Sequence, residues 1–271
     1  MSKIWTQNEI DSIVYAFESG YTIKEIARKL RTRENNISKI ILETGHEIVK
    51  GRRNNRRLLH NYFEKIDSEE KAYFIGLLLT DGSITPGKNG RSPVIRIELS
   101  EADEEVLRQF QYEIQSDAGI TYNKRKDREN GTVSITLRSE KMAEDLSVFG
   151  IVPNKTYVTD RLPDGIPKEY IPAFLRGVID GDGSIYYSNG RWHISFTTHF
   201  KSVAEDFERL CSELIGKEKH MNVTLHNDVF KVTYNGIYAS RLAKICYSNA
   251  TIGLLRKLRR AVSAMNEIEA G

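Results

Sequence analysis

The sequence predicts an α+β protein in which one helix-hairpin-helix-hairpin-helix unit occurs twice behind a small all-α unit. A glycine-bearing apolar helix ending in Asp-Gly appears at two places, and segments of alternating polarity follow each copy at matched spacing. The first stretch of chain carries only helical periodicity. A chain of 271 residues can bury a core without structural metals or disulfides. Its 39% hydrophobic and 28% charged residues, free of long biased tracts, argue against a disordered or fibrous protein. The longest apolar run, Ala72 to Leu79, is too short to span a bilayer, and no signal peptide precedes it, so a cytoplasmic, intracellular protein is expected. Cys211 and Cys246 lack zinc-ligand spacing and are expected to be reduced and packed.

In chain order, residues 1–46 read as three short helices. Thr6 followed by Glu9, and Thr22 followed by Glu25, have the spacing of a capping box, in which hydroxyl and carboxylate satisfy free amides at a helix start. Ile10, Ile13, Val14 and Phe17 supply one apolar face, and Ile23, Ile26, Ala27 and Leu30 another. A third helix, Glu34 to Thr44, turns Ile37, Ile40 and Ile41 inward and leaves Asn35, Asn36, Ser38 and Lys39 outward before Gly45 ends it. This resembles a helix-turn-helix, whose last helix offers polar side chains to the major groove. A charged bundle with no nucleic-acid role has the same pattern. Residues 47–67 read as a basic linker, with Lys50, Arg52, Arg53, Arg56 and Arg57 suited to a phosphate backbone. Met1 to Ile66 holds 13 Lys and Arg against 8 Asp and Glu, while the remainder holds 27 against 29, so positive charge gathers at the front.

The repeats are assigned to residues 68–165 and 166–271. Phe74 to Ile84 returns as Leu175 to Ile185 at an offset of 101, and Ile97 to Phe110 returns as Ile194 to Phe207 at an offset of 97. The difference falls in a turn, where Pro86 to Pro93 is longer than its counterpart around Ser188 to Arg191. Gly76 with Thr80, and Gly177 with Gly181, are small residues four apart, so each pair shares a helix face and lets two backbones approach. Asp81 and Asp182 end these helices, each followed by a glycine suited to termination. If the helices pair about a pseudo-twofold axis, the carboxylates converge and become ligands for a hard divalent cation, which would also offset the unfavourable helix dipole. A lone Asp-Gly is usually a turn former. Two copies, each closing a glycine-bearing apolar helix in matched repeats, point past that role.

The two segments resemble the LAGLIDADG motifs of homing endonucleases in the single-chain, two-repeat form, over roughly Ser68 to Leu258. The resemblance implies a saddle of two antiparallel sheets and a monomer with one active site per repeat. Asp81 and Asp182 fall on the motif's metal-binding catalytic position, and Thr80 and Gly181 on the one whose carbonyl helps to ligate metal. Leu79 departs from the pattern where the second copy keeps Asp180, a position that is not catalytic. The implied cofactor is Mg²⁺ or Mn²⁺, with Ca²⁺ binding without supporting cleavage, and the implied reaction is hydrolysis of one phosphodiester per strand. A basic group near each metal is expected, Lys155 for the first repeat and Lys257 or Lys231 for the second.

Recognition is expected from the strands, whose outward side chains enter the major groove. Arg91, Arg96, Glu98, Arg138, Arg191, His193, Ser195, Thr197 and Lys231 are the candidates, with the hairpin tip holding Lys124, Arg125, Lys126 and Arg128. The repeats differ at these positions, which favours a long asymmetric double-stranded DNA target. An inactive DNA-binding transcription regulator and an intron RNA maturase are the competing functions, and the retained aspartate pair weighs against the former. An intein is disfavoured because splice-site blocks are missing from this sequence.

Overall fold

The computed structural model describes residues 5–18, 21–46, 57–124, 131–216 and 221–269. The chain opens with α1 (Gln7–Glu18), α2 (Ile23–Lys29) and α3 (Glu34–Glu43). Both expected capping boxes form: the Thr6 and Thr22 hydroxyls accept from the amides of Glu9 and Glu25, whose carboxylates accept in return from the threonine amides. Ile13, Ile26, Ala27, Ile37, Ile40 and Ile41 build a core of their own. Leu30, expected on that apolar face, is exposed, because α2 stops at Lys29 and Leu30 is its cap. Gly45 follows α3 with φ of +83°, the left-handed turn that suits glycine.

Glu25 does more than cap a helix. Only 3% exposed, it turns its second oxygen to the Ile120 amide at 3.0 Å and faces Arg108 at 3.6 Å. Arg28 pairs with Glu101 at 2.7 Å and lies 3.6 Å over the Tyr122 ring, while Arg108 lies 3.5 Å over Tyr21. The helical unit is therefore fastened to the first repeat. Within residues 47–67, expected to be a linker, Tyr62, Phe63 and Ile66 are buried in the main core. Lys50, Arg52, Arg53 and Arg56 lie outside the described residues.

The first repeat runs α4 (Glu69–Asp81), β1 (Gly82–Thr85), β2 (Val94–Ser100), α5 (Glu104–Glu113), β3 (Thr121–Asn123), β4 (Thr132–Arg138) and α6 (Glu140–Ser147), followed by the short α7 (Lys155–Val158). The second runs α8 (Ile171–Asp182), β5 (Gly183–Ser188), β6 (Arg191–Thr198), α9 (Lys201–Ile215), β7 (Thr224–His226), β8 (Val229–Asn235), α10 (Ile237–Tyr247) and α11 (Leu255–Glu269). Each contributes one antiparallel sheet, in the orders β1-β2-β4-β3 and β5-β6-β8-β7. Length differs where expected: β5 and β6 join through Asn189 and Gly190, both at positive φ, whereas residues 86–93 intervene between β1 and β2. Ile95, Ile97 and Leu99 pair with Leu137, Ile135 and Val133 on the buried face, and Ile194 and Phe196 pair with Tyr234 and Val232 likewise. Alternation then leaves the other face of each sheet to polar side chains.

The repeats meet along α4 and α8. A Cβ on Gly76 would stand 2.2 Å from the Phe174 carbonyl oxygen, and one on Gly177 would stand 2.1 Å from that of Tyr73. The two glycines touch across the interface, so the helices cross backbone against backbone. Gly82 and Gly183 end the two helices as expected, without a left-handed turn. Both have extended φ values, −82° and −91°, and a Cβ on either would strike the backbone of Leu78 or Ile179 one turn earlier. Glycine there lets the chain leave the helix directly into a strand.

Replacing Gly76 or Gly177 by Ala is expected to lower Tm sharply, and by Leu to prevent folding. Overpacking costs about 1–3 kcal/mol when side chains can yield. Here the atoms to be displaced are backbone, so calorimetric melting of the variants should show losses at or above that range. An unchanged Tm would contradict the crossing.

Candidate active site at the paired helix ends

The helix crossing carries Asp81 and Asp182 to one place. Each is the last residue of its helix, and the next residue begins the first strand of its sheet. Gly181 sets the closeness here: a Cβ on it would fall 1.9 Å from Thr80 Oγ1 and 3.0 Å from Asp81 Oδ2. The last turn of α8 thus leans on the last turn of α4. Carbonyls freed at these C-termini would lack partners, and lysines of α7 and α11 supply them. Lys155 Nζ donates to the Thr80 oxygen at 2.8 Å. Lys257 Nζ, on a residue only 4% exposed, donates to the oxygens of Ile179, Asp180 and Gly183 at 2.6, 2.6 and 2.8 Å, with that of Gly181 at 3.5 Å.

Charge is crowded at this point. Surrounding protein displaces water from the Asp81 carboxyl and Asp182 adds its negative charge, pushing the Asp81 pKa up to about 6 against the pull of Lys257, Lys155 and Arg256. Asp182 is raised for the first of these reasons, opposed by Lys155, Lys257 and His199. The lysines answer in kind: desolvation brings Lys257 down to about 8 and lowers Lys155, although the aspartates pull both upward. Two acidic carboxylates and flanking carbonyl oxygens are a hard, oxygen-only donor set, which fits Mg²⁺, Mn²⁺ or Ca²⁺ and not a thiophilic metal. Among the described residues no cluster of three or more His, Cys, Asp or Glu side chains is placed to hold a metal ion. An ion here would complete its shell with water and phosphate oxygens.

Asp180, two positions before Asp182, has a different task. It is fully buried and accepts from Tyr73 Oη at 3.0 Å, Tyr247 Oη at 2.8 Å and the Leu254 amide at 2.7 Å. Those bonds tie α8 to α4, α10 and the segment before α11. Burial still raises its pKa despite these donors.

Arg96 and Glu98 stand on the open face of the first sheet, paired with each other, and Arg138 donates to the Ser92 oxygen at 3.1 Å. At the repeat offset of 97, His193 and Ser195 occupy the positions of Arg96 and Glu98 on the second sheet, with Thr197 opposite Lys231. His193 stacks on Tyr186 with ring centroids 4.9 Å apart. Ser195, expected to face outward, is on that face but buried, because Ser184 and Thr233 flank it in register. Lys231 lies on β8, and of the two lysines expected for the second repeat it is Lys257 that bonds the helix-end carbonyls. Arg91 and Arg191 are exposed beside the hairpin turns, and Lys124 and Arg57 are exposed at the borders of the described segments. Arg125, Lys126 and Arg128 lie outside the described residues. On α3, Asn35 and Lys39 are exposed, but Asn36 donates to Thr32 Oγ1 at 2.9 Å and the Ser38 hydroxyl turns back to the Glu34 oxygen at 3.0 Å. The last two are less available than their helical positions predict.

Residues 68–146 and 169–247 match the family described as LAGLIDADG-like domain, together more than half of the chain. The chain belongs to the LAGLIDADG-like domain family. The two matched stretches are the two structural repeats, each containing one of the paired helices. The DNA-directed RNA polymerase subunit Rpo1C of Methanocaldococcus jannaschii is 26% identical over 201 residues, covering 72% of this chain and 21% of that protein, so the chain spans about a fifth of that relative's length. Among solved structures, the homing endonuclease I-WcaI bound to its DNA recognition sequence shares 12% identity over 73% of this chain and 90% of its own, with a TM-score of 0.49. I-DmoI in complex with DNA and Ca gives 16%, 73%, 97% and 0.47, and full-length DUF199/WhiA from Thermatoga maritima gives 13%, 79%, 67% and 0.47.

Sequence reasoning missed Arg256, whose charge reaches Asp81, and His199, whose charge reaches Asp182. Arg256 adjoins the predicted Lys257, but its anchor, Asp103, is 153 positions away in sequence and has no local signal. A cleft beside Asp182, lined by Lys155, Arg161, His199 and Phe200, was likewise unforeseen.

A pH prediction follows from Asp81. Its folded pKa is raised, so between the ordinary carboxylate range and about pH 6 the folded state binds the proton more tightly and stability falls as pH rises. Above about pH 6 that loss is complete. Asp81→Asn is therefore expected to raise Tm at pH 8 in the absence of divalent metal, with the gain shrinking as pH falls toward 4, measured by melting both proteins across this range.

Proposed function

We propose that the protein is a site-specific, double-strand DNA endonuclease of the homing type, hydrolysing one phosphodiester on each strand. The observation that carries this reading is the convergence of Asp81 and Asp182 at crossing helix ends, where two carboxylates share a desolvated, lysine-flanked place with no structural need for either. A DNA-binding regulator requires the open sheet faces but not this pair, whose raised proton affinity is an energetic burden without a cation to offset it.

Asp81 and Asp182, with the carbonyls of Thr80 and Gly181, would hold Mg²⁺ or Mn²⁺, and such ions supply an activated water and stabilise the departing 3′ oxygen; Ca²⁺ would bind without supporting cleavage. Lys155 and Lys257 fix the two helix ends through their carbonyls and offset part of the carboxylate charge, opposing the rise in proton affinity that burial imposes on both aspartates. Lys155, less buried than Lys257, is the better placed of the two to meet a phosphate oxygen. Each repeat serves one strand, and the protein acts as a monomer.

The open faces are the recognition surface. Arg96, Glu98 and Arg138 differ from His193, Ser195 and the other second-sheet residues at equivalent positions, so the two half-sites read different base edges and the target is asymmetric. The helical unit acts as a helix-turn-helix that extends contact past the first sheet, with Asn35 and Lys39 as its exposed polar residues, and the basic residues of 47–57 add sequence-independent affinity.

Asp81→Asn or Asp182→Asn is expected to abolish double-strand cleavage of a duplex selected from a randomised library with Mg²⁺, while leaving binding within a few-fold, since the amide keeps the shape but not the charge. Undiminished cutting by both variants would refute the assignment. For the helical unit, Asn35→Ala with Lys39→Ala is expected to shorten the footprint at one end of the site only, measured by nuclease protection. A footprint unchanged at both ends would restrict the unit to a structural role.

A further inference from the structure

The helical unit and the two repeats keep separate hydrophobic cores, the first around Ile13, Ile37 and Ile41. What joins them is polar. Glu25 accepts from the Ile120 amide at 3.0 Å and faces Arg108 at 3.6 Å, with the two side chains 3% and 10% exposed. Each side also sends an arginine onto a tyrosine of the other: Arg28 of α2 lies 3.6 Å over Tyr122 of β3, and Arg108 of α5 lies 3.5 Å over Tyr21. Tyr122 is held from the repeat side, donating to Glu104 at 2.7 Å and accepting from Arg108 at 3.1 Å. Arg28 closes the outer edge against Glu101 at 2.7 Å.

Contacts of this kind have direction. An apolar patch tolerates sliding, whereas a hydrogen bond to one amide and guanidinium planes over rings are lost on a shift of an ångström or two. Spread over Ile120, Tyr122 and Tyr21, they fix rotation as well as distance. The equivalent surface of the second repeat would repel the unit. At the offset of 97, Glu101, Glu104 and Arg108 become Thr198, Lys201 and Glu205, and Lys201 pairs with Glu205 at 2.8 Å. Glu25 would there meet a carboxylate in place of a guanidinium, so the charge pattern selects the first repeat.

We propose that this junction fixes the spacing of the target: it holds α3 at one distance and one rotation from the first sheet, so that flanking bases count only at a single separation from the bases under the sheets. Glu25, Arg28 and Arg108 are positioning residues that act through α3. The inference rests on the DNA-reading role proposed for the helical unit. Duplex geometry makes the demand sharp, since one inserted base pair moves the flank by about 3.4 Å along the axis and turns it by about 34°.

The test uses the full chain and library-selected duplexes bound in chelator, with one to five base pairs inserted between the flank protected by the helical unit and the rest of the site. For the wild-type protein each insertion should cost about tenfold in affinity, the scale of a lost base contact, should match the effect of scrambling the flank, and should erase its protection. Arg108→Gln leaves Glu25 buried without its cation and should open the junction. The unit is then held by its tether alone, and insertions should cost less than about threefold. Arg28→Gln with Glu101→Gln loosens only the exposed side and should give an intermediate cost, which keeps the test decisive if Arg108→Gln folds poorly. Pulsed electron resonance between spin labels on Asn8→Cys and Lys201→Cys, both exposed positions, reads the junction without DNA because the native Cys211 and Cys246 are buried. One narrow distance is expected in the otherwise wild-type chain and a broad distribution in the junction variants. Insertions tolerated by the wild type while the flank stays protected, distances that stay narrow in the variants, or a spacing demand unchanged where distances have broadened would each overturn the proposal. A scrambled flank without effect at any spacing would instead reject the DNA-reading role of the helical unit, and a narrow distance in that case would confine the junction to holding the fold.

Discussion

Everything in the two-repeat domain depends on the contact between α4 and α8 at Gly76 and Gly177. With Cβ atoms excluded from both positions, the helices approach as backbones, and their last turns meet at Thr80 and Gly181. That single crossing sets where Asp81 and Asp182 stand. It also sets the sheets, because β1 and β5 leave the paired helices without a connecting loop. A wider crossing would separate the carboxylates and splay the two open faces together. The geometry of a candidate site and that of a candidate recognition surface are therefore consequences of one packing constraint.

The crossing has an electrostatic cost, and the distribution of cations follows from it. Two aspartates at two helix C-termini oppose both each other and the helix dipoles. The chain answers with lysines held at carbonyls and not directly at carboxylates: Lys155 on the end of α4, Lys257 on the end of α8. Cations so placed stabilise the helix ends while leaving the carboxylate oxygens open. A direct Lys-Asp ion pair would neutralise the same charge and close the site to a metal ion. Asp180 shows the contrast within the same helix, since its oxygens are consumed by Tyr73, Tyr247 and Leu254 and it holds structure only.

The repeat, the order of its elements and the identity of the paired aspartates were legible because they are written locally. Offsets of 101 and 97 are visible by alignment of the chain with itself, and period-two alternation marks which strand residues face outward. Both capping boxes were equally local. What escaped was set by distant contact. Glu25 matches a capping box and performs that role, yet its burial depends on Ile120 and Arg108, 95 and 83 positions away. Tyr62, Phe63 and Ile66 follow a basic run and read as its continuation, although they belong to the main core. Gly82 and Gly183 were read from the usual role of glycine after a helix; the backbone one turn back, not a left-handed conformation, is what demands them. The outward direction of Ser38 followed from periodicity, but its hydroxyl is short enough to bond its own helix.

The docking of the helical unit bears on how much of the surface acts together. A flexible tether would let α3 sample many positions relative to the sheets, and its contribution would be one of effective concentration. Glu25 instead sits buried against the first repeat, Arg28 and Arg108 stack on aromatic rings across the junction, and removing Arg108 would leave the buried Glu25 charge without its cation. Orientation is then part of the fold. The exposed residues of α3 hold a set relation to the open face of the first sheet and to the paired helix ends. The second repeat carries no such appendage among the described residues, which extends the asymmetry already present in the sheet faces and in the surroundings of the two aspartates.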